Sequence, residues 1–313
     1  MIEVDNLTKR FGQRLAVDRL SFQVNKGDIL GFLGPNGAGK STTLNIITGY
    51  LSATEGSVRV GGHDVLEEPV AAKRQIGFLP EHPPLYLDMT VHEYLGFVAE
   101  LKSVATRARR AEVEKAMQLL RIADVGSRLI KNLSKGYRQR TGLAQALIGS
   151  PSILILDEPT IGLDPRQIIE TRELIKELGR EHTIILSSHI LAEVSAVCNR
   201  VLIINQGRIA AIDTPENLSR GTAGRLTLRV AGSEDVVLGA LRQVPHVQRL
   251  RSQAVRESGT VDVLVEAEEG QDVRRQVSAA LARAGLAILM MRSSDLSLEE
   301  IFLNLVTGEK EEF

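Results

Sequence analysis

One stretch has residue types and spacing that imply chemistry: Gly34, Pro35, Asn36, Gly37, Ala38, Gly39, Lys40, Ser41 and Thr42. It fits G-x-x-x-x-G-K-[ST], the pattern of a loop that wraps phosphate. Its glycines let the backbone turn successive N–H groups toward an anion. A helix beginning at the end of the loop adds partial positive charge at the same spot. Lys40, on an exposed loop, would reach the β- and γ-phosphates of a nucleotide, and the Ser41 hydroxyl would bind Mg²⁺. A second constellation follows the apolar run Ile153–Leu156: Asp157, Glu158 and Pro159. Asp157 can hold Mg²⁺ through water, and Glu158 can take a proton from an attacking water. A third is His189, after Ser187 and Ser188. A lone histidine is usually structural, but this one shares its address with the other two groups.

Each group needs an element to position it. Ile29–Leu33 reads as the strand before the phosphate loop, and Ser41–Thr48 as a short helix stopped by Gly49. Ile153–Leu156 is an unbroken apolar run, which argues a parallel strand buried on both faces, and Thr183–Leu186 reads as another buried strand. Ligands bind at the carboxyl ends of such strands. Ile2, Val4 and Leu7 alternate as a strand, Phe22 and Val24 belong to another, and Val58 and Val60 continue the pattern. Phe11 lies between the first two strands, where its ring can stack on a base or simply pack. A short strand, Gln75–Leu79, runs into the loop Pro80-Glu81-His82-Pro83-Pro84.

From about Pro83 to Ser150 the texture is helical. Thr90 and Glu93 form a capping box, followed by Val91, Leu95, Val98 and Leu101 at helical spacing. Val113, Ala116, Met117 and Leu120 mark a second helix, and Ser134 can cap a third that carries Leu143, Ala146 and Leu147. Asp164-Pro165 opens a helix bearing Ile168, Ile169, Leu174 and Leu178. Val201–Ile204 and Ile209–Ile212 form a hairpin, and Pro215 starts a short helix.

With 313 residues, two domains are the natural expectation. The 43% hydrophobic content is that of an ordinary globular protein, and the formal net charge of −1 offers no global field for nucleic acid. The longest apolar runs are strand-length, short of the roughly 20 residues of a membrane helix. The N-terminal Met-Ile-Glu-Val-Asp lacks a signal-peptide pattern, so the protein is expected in the cytosol. Cys198, the single cysteine, reads as a small buried hydrophobe.

These motifs, in this order, resemble the ATP-binding subunit of an ABC transporter over about residues 1–220. The resemblance assigns Phe11 to adenine stacking, Gly34–Thr42 to the Walker A loop, and Leu133–Gln139 to the signature sequence L-S-G-G-Q. Leu156–Pro159 matches Walker B with Glu158 as general base, Gly162–Asp164 the D-loop, and His189 the switch histidine. Ser134 and Gly136 remain of the signature, with Lys135 and Tyr137 as departures. Glu81 stands where the family usually has a glutamine that senses the γ-phosphate, and joins Ser41 and Asp157 as an expected metal ligand. The implied fold is an α/β P-loop NTPase (ABC ATPase) domain, with an antiparallel β subdomain and a helical insertion at about 83–150.

Residues 221–313 read as a second domain. Leu226, Leu228 and Val230 form a strand, and Ser233 opens a helix with Val236, Val237, Ala240 and Leu241. Val247–Arg251 and Val261–Val265 are strands, Val277, Ala280 and Leu281 a helix, and Ala287–Met291 a strand. The order β-α-β-β-α-β is that of a ferredoxin-like α+β sandwich. Leu298, Ile301, Phe302 and Leu305 give a last amphipathic helix, and this ending is similar to the ABC-2 exporter ATPases, including those named for gliding motility. The domain carries no catalytic constellation. It reads as a regulatory or dimer-contact module, or as a stabilising appendage.

The resemblance implies ATP and Mg²⁺ as cofactors, transmembrane permease subunits as partners, and a second ATP-binding subunit, as a homodimer closed head to tail on two ATP. It implies no nucleic-acid partner and a position on the cytoplasmic face of the membrane. Ser134 and Gly136 of one copy would then meet the γ-phosphate held by Lys40 of the other. Two other classes fit less of the chain. Ribosomal ABC ATPases carry two units per chain, and DNA-tethering ones insert very long coiled coils, whereas about 50 helical residues span only about 75 Å. Some amino-acid importers also end in a ferredoxin-like, ligand-sensing domain.

Overall fold

The computed structural model describes residues 1–220, 225–253, 257, 259–268 and 271–293. The chain divides into two compact units, Met1–Asp213 and Thr214–Phe313. The first unit begins β1 (Ile2–Phe11), β2 (Arg14–Val24), β3 (Ile29–Leu33), α1 (Lys40–Ile47), β4 (Glu55–Val60), β5 (His63–Asp64), α2 (Pro69–Arg74) and β6 (Ile76–Leu79). Three longer helices follow: α3 (Val91–Leu101), α4 (Thr106–Leu119) and α5 (Lys135–Leu147). It closes with β7 (Ile153–Asp157), α6 (Pro165–Leu178), β8 (Thr183–Ser188), α7 (Leu191–Val197), β9 (Arg200–Asn205) and β10 (Arg208–Asp213).

Two sheets organise this unit. The central one has six strands in the order β10-β9-β3-β8-β7-β6, and its inner pairs are parallel. Every residue of β7 and of β8 is buried, as their unbroken apolar runs require. The other sheet, β2-β1-β4-β5, is antiparallel. Its inward residues Ile2, Val4, Leu20 and Phe22 share one core with Phe32 of β3 and with Leu44 and Ile47 of α1. That core fixes the start of α1 against both sheets, and therefore fixes the loop leading into it.

The helices α3, α4 and α5 form the helical part. Thr90 and Glu93 make the expected capping box at α3. The helices bury less of their apolar residues than their spacing suggests: Leu101 is 67% exposed and Ile169, on α6, 56%. On α6 the buried face is Thr171, Ile175 and Leu178. A helical stripe can be wider than the surface it meets, and residues at its edge then stay in solvent. Cys198 is buried, and desolvation pushes its thiol up to about 12.

The second unit contains α8 (Pro215–Arg220), β11 (Arg225–Ala231), α9 (Glu234–Leu241), β12 (Val247–Gln253), β13 (Thr260–Ala267), α10 (Arg274–Arg283) and β14 (Ala287–Ser293). Its sheet runs β12-β13-β11-β14, all antiparallel, with the β-α-β-β-α-β order of a ferredoxin-like sandwich. Leu226, Leu228, Val261, Val263, Val237 and Val277 pack one sheet face against both helices. Val236, expected in the same stripe, is instead exposed. The expected helix through Leu298, Ile301, Phe302 and Leu305 lies outside the described residues.

Candidate active site

Strand register builds the site. Leu33 pairs with Ser188, and Asp157 pairs with Ser187, so β3, β8 and β7 end level with one another. The phosphate loop leaves β3, His189 leaves β8 and Glu158 leaves β7, all at the carboxyl edge where open α/β sheets take ligands. One strand further out, Leu79 pairs with Leu156, and β6 delivers Glu81 to the same edge.

The loop approaches its neighbours too closely for side chains at two points. Gly39 has φ 110, and a Cβ there would lie 2.7 Å from the Ala16 carbonyl. A Cβ on Gly34 would lie 2.4 Å from the Ile204 carbonyl. Ala38 is buried and closes the loop by donating its N–H to the Pro35 carbonyl. Lys40 follows a loop expected to be exposed, but its own side chain is buried. It is 6% exposed and folds back, donating from Nζ to the Gly34 carbonyl at 2.7 Å and the Pro35 carbonyl at 3.3 Å. The loop's own carbonyls form a cup that the ammonium fills.

Across the edge, Lys40 Nζ stands 3.8 Å from Glu158 Oε1. Burial pulls the lysine below its ordinary pKa, and the charges of Glu158, Asp157 and Glu81 oppose that. Burial likewise raises the Glu158 carboxyl, while His189 and Lys40 hold it down. His189 Nδ1 lies 3.0 and 2.9 Å from the two Glu158 oxygens and donates to them when it carries the proton. Glu158 has φ 48, a left-handed backbone that is costly for a side chain and persists only where the surroundings hold it.

Two residues outside the expected set do part of that holding. The Ser187 hydroxyl donates to Asp157 Oδ1 and accepts from the Glu158 N–H at 2.9 Å. Gln139 Nε2 donates to the Pro159 carbonyl at 3.1 Å. Both lie in stretches legible as elements, but only the pairing of β7 with β8 and the packing of α5 bring them to the site.

Asn36, Gly37, Gly39, Lys40, Ser41, Thr42, Glu81, Glu158 and His189 line one cleft of about 390 Å³, together with Ile161. Beside it, Ser41, Glu81 and Asp157 border a wider cleft of about 820 Å³ with Asn45, Tyr50, Lys102 and Gln145. These three supply only oxygen donors, the type that Mg²⁺ takes. Among the described residues no three His, Cys, Asp or Glu side chains gather closely enough to hold a metal alone. Mg²⁺ commonly completes its shell with water and phosphate oxygens, so a hydroxyl and two carboxylates fit it.

Phe11, Ser134, Gly136 and Asp164 line neither cleft. Phe11 ends β1, half-exposed, with Lys9 Nζ 5.2 Å from its ring centroid. Ser134 caps α5 by accepting from the Tyr137 N–H, and Asp164 caps α6 by accepting from the Gln167 N–H at 2.9 Å. Gln167 also covers Gly136, where a Cβ would lie 2.7 Å from its Oε1. The start of α5 and the start of α6 are therefore packed against each other.

The ABC transporter family profile matches residues 17–161. The linearmycin resistance ATP-binding protein of Bacillus subtilis is 31% identical over 310 residues, spanning 97% of this chain and 98% of the relative. The bacitracin transport ATP-binding protein of Bacillus licheniformis is 31% identical over 310 residues and 98% of both chains. A solved ATP-binding subunit of an ABC transporter superposes with TM-score 0.65 and 29% identity, over 70% of this chain and 92% of the other. The chain belongs to the ABC transporter family, among its ATP-binding proteins.

Proposed function

We propose that this chain hydrolyses ATP to drive an export-type, ABC-2 membrane transporter, working as a head-to-tail pair of copies. The observation that carries the reading is the convergence of Lys40, Glu158 and His189 on the cleft of the phosphate loop. Relatives named for bacitracin transport, for linearmycin and daunorubicin resistance and for Nod factor export support the export class.

In this reading the N–H groups of the loop and Lys40 hold the β- and γ-phosphates. Phe11 stacks on adenine. Glu158 accepts a proton from the water that attacks the γ-phosphate, and His189 keeps the carboxylate in line with it. Ser41, Asp157 and Glu81 would hold Mg²⁺, which when bound offsets phosphate charge. Ser134 is exposed and does not line its own cleft, which fits service to the nucleotide of a second copy, whereas Gly136 is buried beneath Gln167. Asp164 holds the adjoining turn that would face that copy.

The wider cleft separates the phosphate-loop side from the helical part. Its rim carries Tyr50, 79% exposed, and Tyr86 stands half-exposed on the following loop. Such a rim suits a segment of a permease, so that closure is relayed through Glu81–Asp88. Among the described residues no helix is long and apolar enough to cross a membrane, which is consistent with attachment at the cytoplasmic face through that partner. A detergent-extract pull-down with the full chain tests this. A co-purifying multi-span protein is expected; ribosomes or DNA in its place would overturn it.

A further inference from the structure

We propose that Glu193 is a positioning residue for hydrolysis: its buried carboxylate clasps the chain after Glu158 to the chain before His189. The inference rests on the reading of Glu158 as base and His189 as its partner.

Glu193 lies on α7 and is 4% exposed. Its Oε2 accepts from the Thr160 hydroxyl at 2.5 Å and from the Ser188 hydroxyl at 3.3 Å. Thr160 is two residues beyond Glu158, and Ser188 immediately precedes His189. The Ser188 hydroxyl in turn accepts from the Ile190 N–H at 3.0 Å, so the clasp brackets His189 on both sides. Oε1 of Glu193 faces Arg172 Nη2 of α6 at 3.8 Å. Arg172 Nε is buried and has no hydrogen-bond partner among the described residues. One carboxylate thus joins α6, α7 and the two segments that carry the reacting groups.

A surface clasp of this kind would be ordinary stabilisation. Here three features point to function. The two hydroxyls belong to the segments whose side chains meet in the His189–Glu158 contact. Glu158 holds a left-handed backbone that its surroundings must enforce. Ser187 restrains that backbone at its N–H and Gln139 at the Pro159 carbonyl, the Ile161 and Leu163 N–H groups hold the Glu158 and Thr160 carbonyls, and Glu193 holds the Thr160 side chain. Without the clasp the Glu158 carboxylate and the His189 ring lose their mutual alignment, while the phosphate loop, held by the β3 and α1 core, is untouched.

The full-length chain with Glu193→Ala, Glu193→Gln and Thr160→Val tests the clasp, through ATP hydrolysis kinetics and thermal unfolding. A small misalignment of reacting groups costs up to about a hundredfold in rate. Glu193→Ala is expected to lower kcat at least about tenfold and to leave KM within about threefold. Glu193→Gln keeps one carbonyl acceptor for the hydroxyls and is expected to recover part of kcat. Thr160→Val removes one arm of the clasp and is expected to lower kcat without moving KM; it carries the test with Glu193→Gln should Glu193→Ala fail to fold. Folded variants with the parent kcat, or variants whose kcat and KM worsen together, overturn the proposal. Glu158→Gln in the same assay separates the layers. If it still turns over at the parent rate, the reading of the base fails; if it is inactive while the clasp variants are normal, the clasp alone fails.

Discussion

The Lys40 ammonium and the Glu158 carboxylate stand 3.8 Å apart at the carboxyl edge of the central sheet, both nearly buried. Lys40 opens α1 beyond the loop from β3, Glu158 follows β7, and β8 lies between β3 and β7. Desolvation works against both charges, and each partly relieves the other. The lysine also rests on the Gly34 and Pro35 carbonyls. Its ammonium is therefore held at the phosphate loop by neutral acceptors and is ion-paired with the proposed base. In the proposed function a γ-phosphate entering the cleft meets a cation already desolvated.

Lys40→Ala is expected to weaken ATP binding by about a hundredfold, since a hydrogen bond to a charged group contributes up to about 3 kcal/mol. The variant also takes the Lys40 donor from the Gly34 carbonyl, while the Pro35 carbonyl keeps the Ala38 N–H, so a modest loss of thermal stability accompanies it. Titration with a fluorescent ATP analogue measures the affinity. Affinity equal to the parent would remove the phosphate-loop assignment.

Glu81 borders both clefts, and its charge reaches Lys40. It is neither a fully solvated residue nor a locked one: His82 Nδ1 approaches its carboxylate only to 3.9 Å. Beside Mg²⁺ the carboxylate is an oxygen ligand; beside a bare triphosphate it is a like charge. Glu81→Gln is expected to improve ATP affinity mainly when Mg²⁺ is absent. Calorimetry with and without Mg²⁺ decides this, and identical Mg²⁺ dependence in both proteins would leave Glu81 a coupling role only.

Lys102, on the border of the wider cleft, offers a stability test. Its Nζ donates to the Gln145, Ala146 and Ile148 carbonyls at 3.1, 3.1 and 2.6 Å, closing the C-terminus of α5. Burial pulls its pKa down to about 8 from an ordinary 10.5. Between those values the unfolded chain holds a proton there that the folded chain has released. Stability conferred by this residue therefore rises with pH across that window, by on the order of 1 kcal/mol per pH unit. Urea unfolding from pH 7.5 to 10.5 for the parent and Lys102→Met measures it. A difference between the two proteins that is flat with pH would contradict the shift.

Much of this was legible in the sequence because local rules carry it. The unbroken runs at Ile153–Leu156 and Thr183–Leu186 announced buried strands, and the glycine pattern announced the loop. Thr90 with Glu93, and Asp164 before Pro165, announced helix starts. What escaped depends on partners distant in the chain. The fold of Lys40 onto its own loop requires the carbonyl geometry, and Ser187 reaches Asp157 only through strand register. Glu193 reads in sequence as one more polar helix residue, and only the approach of Thr160 and Ser188 makes it a buried clasp. Val236 and Ile169 failed as core residues because periodicity gives the direction of a face but not its width.

In the proposed function Glu158 is the base for a hydrolysis carried out by two copies around bound ATP. Glu158→Gln keeps the side chain's shape and removes its basicity. The direct measurement is phosphate release and size-exclusion chromatography in ATP and Mg²⁺, for the parent and this variant side by side. The expected result is steady phosphate release from the parent, with release from Glu158→Gln falling by at least about a hundredfold, the general-base contribution being about 10²–10⁴-fold. The variant should bind ATP as the parent does and elute as a dimer only when ATP is present. A variant that releases phosphate at the parent's rate, or one that holds ATP as a monomer, would contradict it.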